Sequence, residues 1–319
     1  MATTPERARI LQVGTLGEEA DAYLQAHYDV LRLWEDRRGL GALADGAAGI
    51  VAIVTSVRHG CKADLIARLP DLRVICSWGV GFETIDVAAA RDRGIAVSNT
   101  PDVLDDCVAD LAWALLLGAA RRTAVANRYV KTGQWRTIGA FPLSTRVHGK
   151  RMGILGLGRI GQAIARRGLG FGIDVRYHNR RERVGVPYGY VDSLVELARW
   201  ADFLVVACEG GPATRHLVSA EVIDALGPTG IIVNIARGSV IDEAAMVHAL
   251  AEGRLGGAGL DVLEFEPKVP PELLEMDQVV LSPHVGSATH ETRREMVKLV
   301  FDNLAGYLSG RGLLTPVDP

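Results

Sequence analysis

The chain has 319 residues, 48% of them hydrophobic, and a formal net charge of −3, which is length enough for two domains that each bury a core. The near balance of charge gives no broad attraction for nucleic acid, and no apolar run approaches the ~20 residues of a membrane span. The first residues are polar with no secretory pattern, and Cys61, Cys76, Cys107 and Cys208 are scattered without zinc or dithiol spacing, so a cytoplasmic chain with reduced thiols, no metal, no nucleic-acid partner and no membrane partner is expected.

Short apolar runs at 10–13, 30–34, 50–55 and 72–77 read as strands buried on both faces, with helix formers at 63–69 and 85–91 between them. The segment 103–131, rich in Ala, Leu and Val, predicts one long crossover helix. A second series of strands follows at 152–155, 175–178, 203–207, 231–235, 258–262 and 279–281. Beyond 289, Met296, Leu299, Val300, Leu304, Tyr307 and Leu308 fall on one helical face, predicting a terminal helix that packs back on the first domain. The expected fold class is α/β with two doubly wound parallel-sheet domains. A Rossmann cofactor domain, 100–288, is inserted into a flavodoxin-like substrate domain made of 1–99 and 289–319.

Gly156, Leu157, Gly158, Arg159, Ile160 and Gly161 lie between the strand at 152–155 and the helical run 162–167. In that context GxGxxG reads as a dinucleotide loop. Gly156 makes the tight turn, Gly158 lets the backbone approach a pyrophosphate, and Gly161 seats the helix close to the strand, so that the helix N-terminus faces the phosphates. About 20 residues on, an NAD site shows a carboxylate for the ribose hydroxyls; here stand Asn179, Arg180 and Arg181. A carboxylate would repel a 2′-phosphate and guanidinium groups would bind it, so NADP(H) is the expected cofactor, with NAD(H) the alternative. The blander reading of Arg180, Arg181 and Arg183 is a solvated basic loop.

Three further motifs sit after strands: Gly79-Val80-Gly81-Phe82-Glu83-Thr84-Ile85-Asp86, Asn234-Ile235-Ala236-Arg237-Gly238-Ser239, and the pair Asp261-Val262-Leu263-Glu264-Phe265-Glu266-Pro267 with Ser282-Pro283-His284-Val285-Gly286-Ser287. A glycine-rich turn can form an anion-binding nest. Residues past the carboxyl ends of strands line the ligand crevice of open α/β sheets, which places Arg237 to meet substrate and not merely solvent. An imidazolium suits proton donation near neutral pH, which makes His284 a candidate general acid. The other seven histidines read as structural.

With the glycine loop and its upstream Gly149-Lys150-Arg151, these motifs make nearly the whole chain resemble the D-isomer-specific 2-hydroxyacid dehydrogenase family, in its glyoxylate, hydroxypyruvate and hydroxyphenylpyruvate reductase branch. The resemblance implies that Val80 and Gly81 N–H groups hold the substrate carboxylate. It also implies that Glu266, in preference to Glu264, partners His284, and that Asp261 with the backbone of Ile235 and Ala236 holds the nicotinamide carboxamide. Cys208, Thr214 and Gly286 join the cofactor contacts. Trp78 and Trp135 are candidates for a wall around the substrate side chain or for packing at a subunit contact, with core packing the blander reading of each. One departure is Glu209, in place of the family's Pro-rich loop, a charge that opposes a 2′-phosphate. A homodimer through the cofactor domain is the implied assembly; the apolar run 107–117 is a candidate for its surface, and the blander reading is that it is buried within the monomer.

The expected activity is NADPH-dependent reduction of glyoxylate, hydroxypyruvate or hydroxyphenylpyruvate to the D-2-hydroxyacid. Two rivals share the fold. A formate-type NAD dehydrogenase calls for Gln where Glu266 stands. An NAD(H)-sensing corepressor binds peptides and can retain Arg, Glu and His, so turnover separates it.

Overall fold

The computed structural model describes residues 7–317. It divides into two compact units, one formed by the chain up to Leu104 together with the chain from Thr289, the other by Asp105–Ala288. The first division lies at 104/105, where the sequence suggested 99/100.

The first unit holds β1 (Arg9–Gln12), β2 (Asp29–Arg32), β3 (Ile50–Ser56), β4 (Val74–Trp78) and β5 (Ala96–Ser98), in the parallel order β2-β1-β3-β4-β5. That is the flavodoxin-like order. Alternation along the strands sends Leu11, Ile53 and Ile75 into one core with Leu65, Ile66 and Leu69. Ile10, Val54, Val74 and Cys76 face the other way, onto Leu24, Val300 and Leu304. The last two belong to the helix His290–Leu308, whose start is capped by the Thr289 hydroxyl accepting from Thr292 N–H. Buried Asn303 then pins the tail: its Oδ1 accepts from Leu314 and Thr315 N–H at 2.9 and 3.1 Å, and Thr315 Oγ1 donates to Asn99 O at 2.6 Å.

The second unit holds β6 (Arg151–Leu155), β7 (Asp174–His178), β8 (Gly189–Tyr190), β9 (Phe203–Val206), β10 (Ile231–Asn234), β11 (Gly257–Leu260) and β12 (Val279–Leu281). They pair in parallel in the order β8-β7-β6-β9-β10-β11-β12. Chain direction across the sheet reverses between β6 and β9, and this switch point is where open α/β sheets bind ligands. One face is covered by the helices Leu194–Trp200, Ala220–Leu226 and Glu243–Ala251, which bury Leu197, Val222 and Met246.

The other face carries the helix Asp105–Arg121, packed on β10, β11, β12 and the helix Arg159–Gly168. Val108, Ala109, Ala112, Trp113, Leu115 and Leu116 are buried there, and Trp113 Nε1 donates to Ile164 O at 3.0 Å. Within 107–117 this buried face belongs to its own unit, while Asp110 and Ala114 are exposed. The single long helix expected over 103–131 is also corrected. Arg122 takes the left-handed conformation, φ +52°, and splits the segment into Asp105–Arg121 and Thr123–Lys131. The second helix buries none of its residues, so the chain turns away where the apolar face ends. Ion pairing of Arg122 with Asp277 at 3.9 Å and its stacking over Phe141 hold the break.

Leu304 is fully buried where the terminal helix meets the first sheet, so Leu304→Ala should cost about 2–5 kcal/mol in denaturant unfolding. A loss below about 1 kcal/mol would contradict this docking.

Candidate active site

The glycine loop is fixed by tertiary contacts that differ from glycine to glycine. Gly156 has φ +97°, and a Cβ there would stand 2.5 Å from the Cys208 backbone. A Cβ on Gly161 would stand 2.2 Å from Gly156 O, so helix and loop touch backbone to backbone. Gly158 differs, because nothing beyond its own neighbours in the chain lies within 4 Å of its Cβ position. Packing demands the outer two glycines, and the middle one leaves the approach open to a phosphate. Gly158 is also the N-cap of the ten-residue helix Arg159–Gly168 and makes no side-chain cap, which leaves first-turn N–H groups for an anion.

At the end of β7, Asn179 Oδ1 accepts Leu157 N–H at 2.8 Å, tying the loop to the strand without placing a charge there. Arg180 and Arg181 follow on an exposed turn, held where Tyr177 Oη accepts Arg183 N–H at 2.8 Å. Arg159 pairs with Asp105 at 3.8 Å. Leu157 is buried and Ile160 half-buried. After β9, burial pushes the Cys208 thiol up to about 11, so it stays neutral, and Thr214 Oγ1 closes its own turn on Glu209 O at 2.8 Å. Glu209 itself is exposed. These residues fit a phosphorylated dinucleotide.

Past β10, buried Asn234 shapes the turn that presents Arg237: its Oδ1 accepts Ala236 N–H and its Nδ2 donates to Arg237 O, both at 3.0 Å. Ile235 and Ala236 are buried. Two glycines that sequence reasoning did not single out make room here. A Cβ on Gly210 would stand 2.5 Å from Arg237 Cγ, and one on Gly238 would stand 1.9 Å from the Leu263 carbonyl carbon.

Past β11 and β12, Asp261, only 3% exposed, builds the histidine turn. Its Oδ1 accepts Ser282 Oγ at 2.6 Å and Val285 N–H at 2.8 Å, and its Oδ2 accepts Gly286 N–H at 2.8 Å. Each carboxylate oxygen has two lone pairs, so one acceptor site on Oδ2 is left for a carboxamide. The turn holds His284 at φ +54°, with its N–H donating to Asp261 O at 2.8 Å.

His284 Nδ1 lies 2.8 Å from Glu266 Oε2, and Glu266 Oε1 accepts Leu263 N–H at 3.2 Å. A carboxylate on Nδ1 places the proton on that nitrogen and leaves Nε2 for a substrate. Burial pushes the Glu266 carboxyl up, but the hydrogen bond and charge of His284, the Leu263 N–H and the charge of Arg237 outweigh it and hold the group below its ordinary value. The competing carboxylate is committed elsewhere: Glu264 Oε1 pairs with Arg215 at 2.7 Å and His216 at 2.9 Å.

In the first unit, Gly79, φ +129°, exchanges hydrogen bonds with Thr100, and Asn99 Nδ2 donates to Val80 O at 2.7 Å. The Val80 and Gly81 N–H groups donate to no described residue, as an anion nest requires. Trp78, half-buried, packs with the core beneath the helix His290–Leu308, with the Arg293 guanidinium 4.5 Å over its ring. Trp135 is exposed. Among the described residues, no cluster of His, Cys, Asp or Glu could hold a metal ion, and no helix is long and apolar enough to cross a membrane.

The model of the D-isomer-specific 2-hydroxyacid dehydrogenase NAD-binding domain matches residues 113–286. The chain is 45% identical over 312 residues to a hydroxyphenylpyruvate reductase of Plectranthus scutellarioides, covering 98% of this chain and 99% of that one. It is 44% identical, with the same coverage, to a glyoxylate/hydroxypyruvate reductase of Arabidopsis thaliana. Among solved structures, an NADPH-dependent glyoxylate/hydroxypyruvate reductase of Sinorhizobium meliloti, in complex with NADP and malonate, superposes with a TM-score of 0.92 at 41% identity, covering 98% of this chain and 97% of that one.

Gly161→Ala forces backbone apart, so NADP(H) affinity in a fluorescence titration should weaken at least about tenfold, ~1.4 kcal/mol; an unchanged Kd would refute the loop assignment. A carboxyl held low in the fold stabilises it above the ordinary value of 4.5 and loses that contribution as pH falls through the lower folded value. The Tm gap between wild type and Glu266→Gln should therefore be open at neutral pH and close below the ordinary carboxylate range. A gap independent of pH would count against the Glu266–His284 pair.

Proposed function

Because the chain belongs to the D-isomer-specific 2-hydroxyacid dehydrogenase family, we propose that it reduces a small 2-oxoacid, of the glyoxylate, hydroxypyruvate or hydroxyphenylpyruvate kind, to the D-2-hydroxyacid with NADPH. The observation that carries this reading is the 2.8 Å contact of His284 Nδ1 with Glu266 Oε2, in the same unit as Arg237 and the glycine loop.

Bound at the loop, NADPH supplies the hydride that adds to the carbonyl carbon. Arg237 grips the carboxylate and keto oxygen, opposing the negative charge that grows on that oxygen. His284, oriented by Glu266, gives the Nε2 proton of its imidazolium to it. The Val80 and Gly81 N–H groups take the carboxylate, and the remaining Oδ2 acceptor of Asp261, with the backbone at Ile235 and Ala236, takes the nicotinamide carboxamide. Gly156, Gly158 and Gly161 seat the pyrophosphate. The 2′-phosphate falls to Arg180 and Arg181, with NAD(H) the weaker alternative. A formate-type reaction is disfavoured by the carboxylate at Glu266.

Cytoplasmic residence and a homodimer through the cofactor unit belong to the same proposal. With most of the apolar face of 107–117 buried in its own unit, the exposed Val130, Trp135, Ile138 and Leu143 add apolar surface for that dimer.

A panel of 2-oxoacids run with both cofactors tests the function. Turnover with at least one 2-oxoacid is expected, with kcat/KM about tenfold or more higher for NADPH than for NADH, as charge-assisted contacts to one phosphate allow. Equal values with the two nucleotides would remove the phosphate assignment. No turnover with any 2-oxoacid would overturn the enzyme reading in favour of a peptide-binding sensor.

A further inference from the structure

The segment that carries Glu266 also carries a second carboxylate with its own histidine. Glu264 Oε1 accepts from Arg215 Nη2 at 2.7 Å and lies 2.9 Å from His216 Nε2, and its side chain is only 7% exposed. His216 is itself constrained, with φ +51° and its N–H donating to Ser239 O at 2.8 Å. Behind them, buried Glu243 accepts the Glu264 N–H on Oε2 at 2.9 Å.

We infer that Glu264, His216, Arg215 and Glu243 are positioning residues that clamp the 263–264 peptide and thereby set Glu266 against His284 and Arg237 in register with both. This rests on the assignment of Glu266 and His284 as the proton-delivering pair.

The coupling runs through Leu263, which forms one half of that peptide. On one side its N–H, in the adjoining 262–263 peptide, is donated to Glu266 Oε1 at 3.2 Å, so movement of Leu263 moves the carboxylate. On the other, a Cβ on Gly238 would stand 1.9 Å from the Leu263 carbonyl carbon and 2.3 Å from Glu264 N. The residue next to Arg237 therefore rests directly on the clamped peptide.

Energetics favour a positioning role over a purely stabilising one. Burial and the neighbouring Glu264 charge push the Glu243 carboxyl up, against the Glu264 N–H that draws it down. Two buried acids this close are costly unless paired, and apolar replacements of similar volume often hold a fold as well. What apolar replacements lack is direction. Carboxylates that accept from a guanidinium, an imidazole and a peptide N–H fix orientation as well as position. The charged and titratable groups around this peptide are Arg215, His216, Arg237, Glu243, Glu264, Glu266 and His284.

The test compares Glu264→Ala with Glu264→Gln, whose amide oxygen still accepts from Arg215 and His216. Glu264→Ala should lower kcat about 10- to 100-fold, the scale of a small misplacement of catalytic groups, with the Kd for NADPH within about twofold. Glu264→Gln should regain most of the rate. Carboxyl NMR gives a readout independent of turnover: in Glu264→Ala, the Glu266 titration should move up toward its ordinary value as contact with His284 loosens. If Glu264→Ala does not fold, His216→Ala carries the same three measurements. Unchanged kcat with an unchanged Glu266 titration would overturn the proposal, as would a rate loss that only follows the folded fraction. Absence of 2-oxoacid turnover in the wild type would defeat the functional reading, and the Glu266 titration would still decide this one.

Discussion

A buried carboxylate joins the ends of two neighbouring strands, and His284 hangs from it. Asp261 gathers Ser282 Oγ, Val285 N–H and Gly286 N–H, and hydrogen bonds to a charged group contribute about 1.5–3 kcal/mol each. Holding a non-glycine residue such as His284 in the left-handed region costs about 1–3 kcal/mol. The three donors outweigh that cost, so the strained turn is the stable one, and it sends the imidazole toward Glu266.

Around that turn the site is assembled by backbone contact as much as by side chains. Gly156 abuts the Cys208 backbone, Gly161 abuts Gly156, and Gly238 abuts Leu263. The first and last join the end of one strand to the loop after another, and the second seats the helix on its own loop, so the glycine loop, Arg237 and Glu266 are related through peptide planes that cannot drift independently. Gly158, with nothing beyond its own neighbours in the chain near its Cβ position, is the exception that chemistry explains and packing does not.

Much of this was legible in the sequence, for physical reasons. Strands buried on both faces write themselves as apolar runs, and GxGxxG between a strand and a helix has few other uses. The assignment of Glu266 over Glu264 came from family resemblance, and the geometry pairs Glu266 with His284 and Glu264 with Arg215 and His216. The break at Arg122 was hidden because Arg is a good helix former and its left-handed conformation depends on Asp277 and Phe141, remote in sequence. The strands Ala96–Ser98 and Gly189–Tyr190 are too short to show a pattern. For Trp78 a signal was present: period-two alternation puts it on the face of Val74 and Cys76, the side covered by the terminal helix. Gly238 stands in the Arg237 motif, but its need for glycine, like that of Gly210, arises only when Leu263 and Arg237 pack against them.

The central claim is that His284, set by Glu266, delivers the proton that completes hydride transfer. Single-turnover oxidation of bound NADPH by a 2-oxoacid, in wild type and His284→Ala, measures that step apart from binding and product release. The account predicts a transfer rate lower by about 10²- to 10⁴-fold, the usual contribution of a positioned acid, with NADPH binding within about twofold of wild type. Transfer at nearly the wild-type rate in the variant would contradict it.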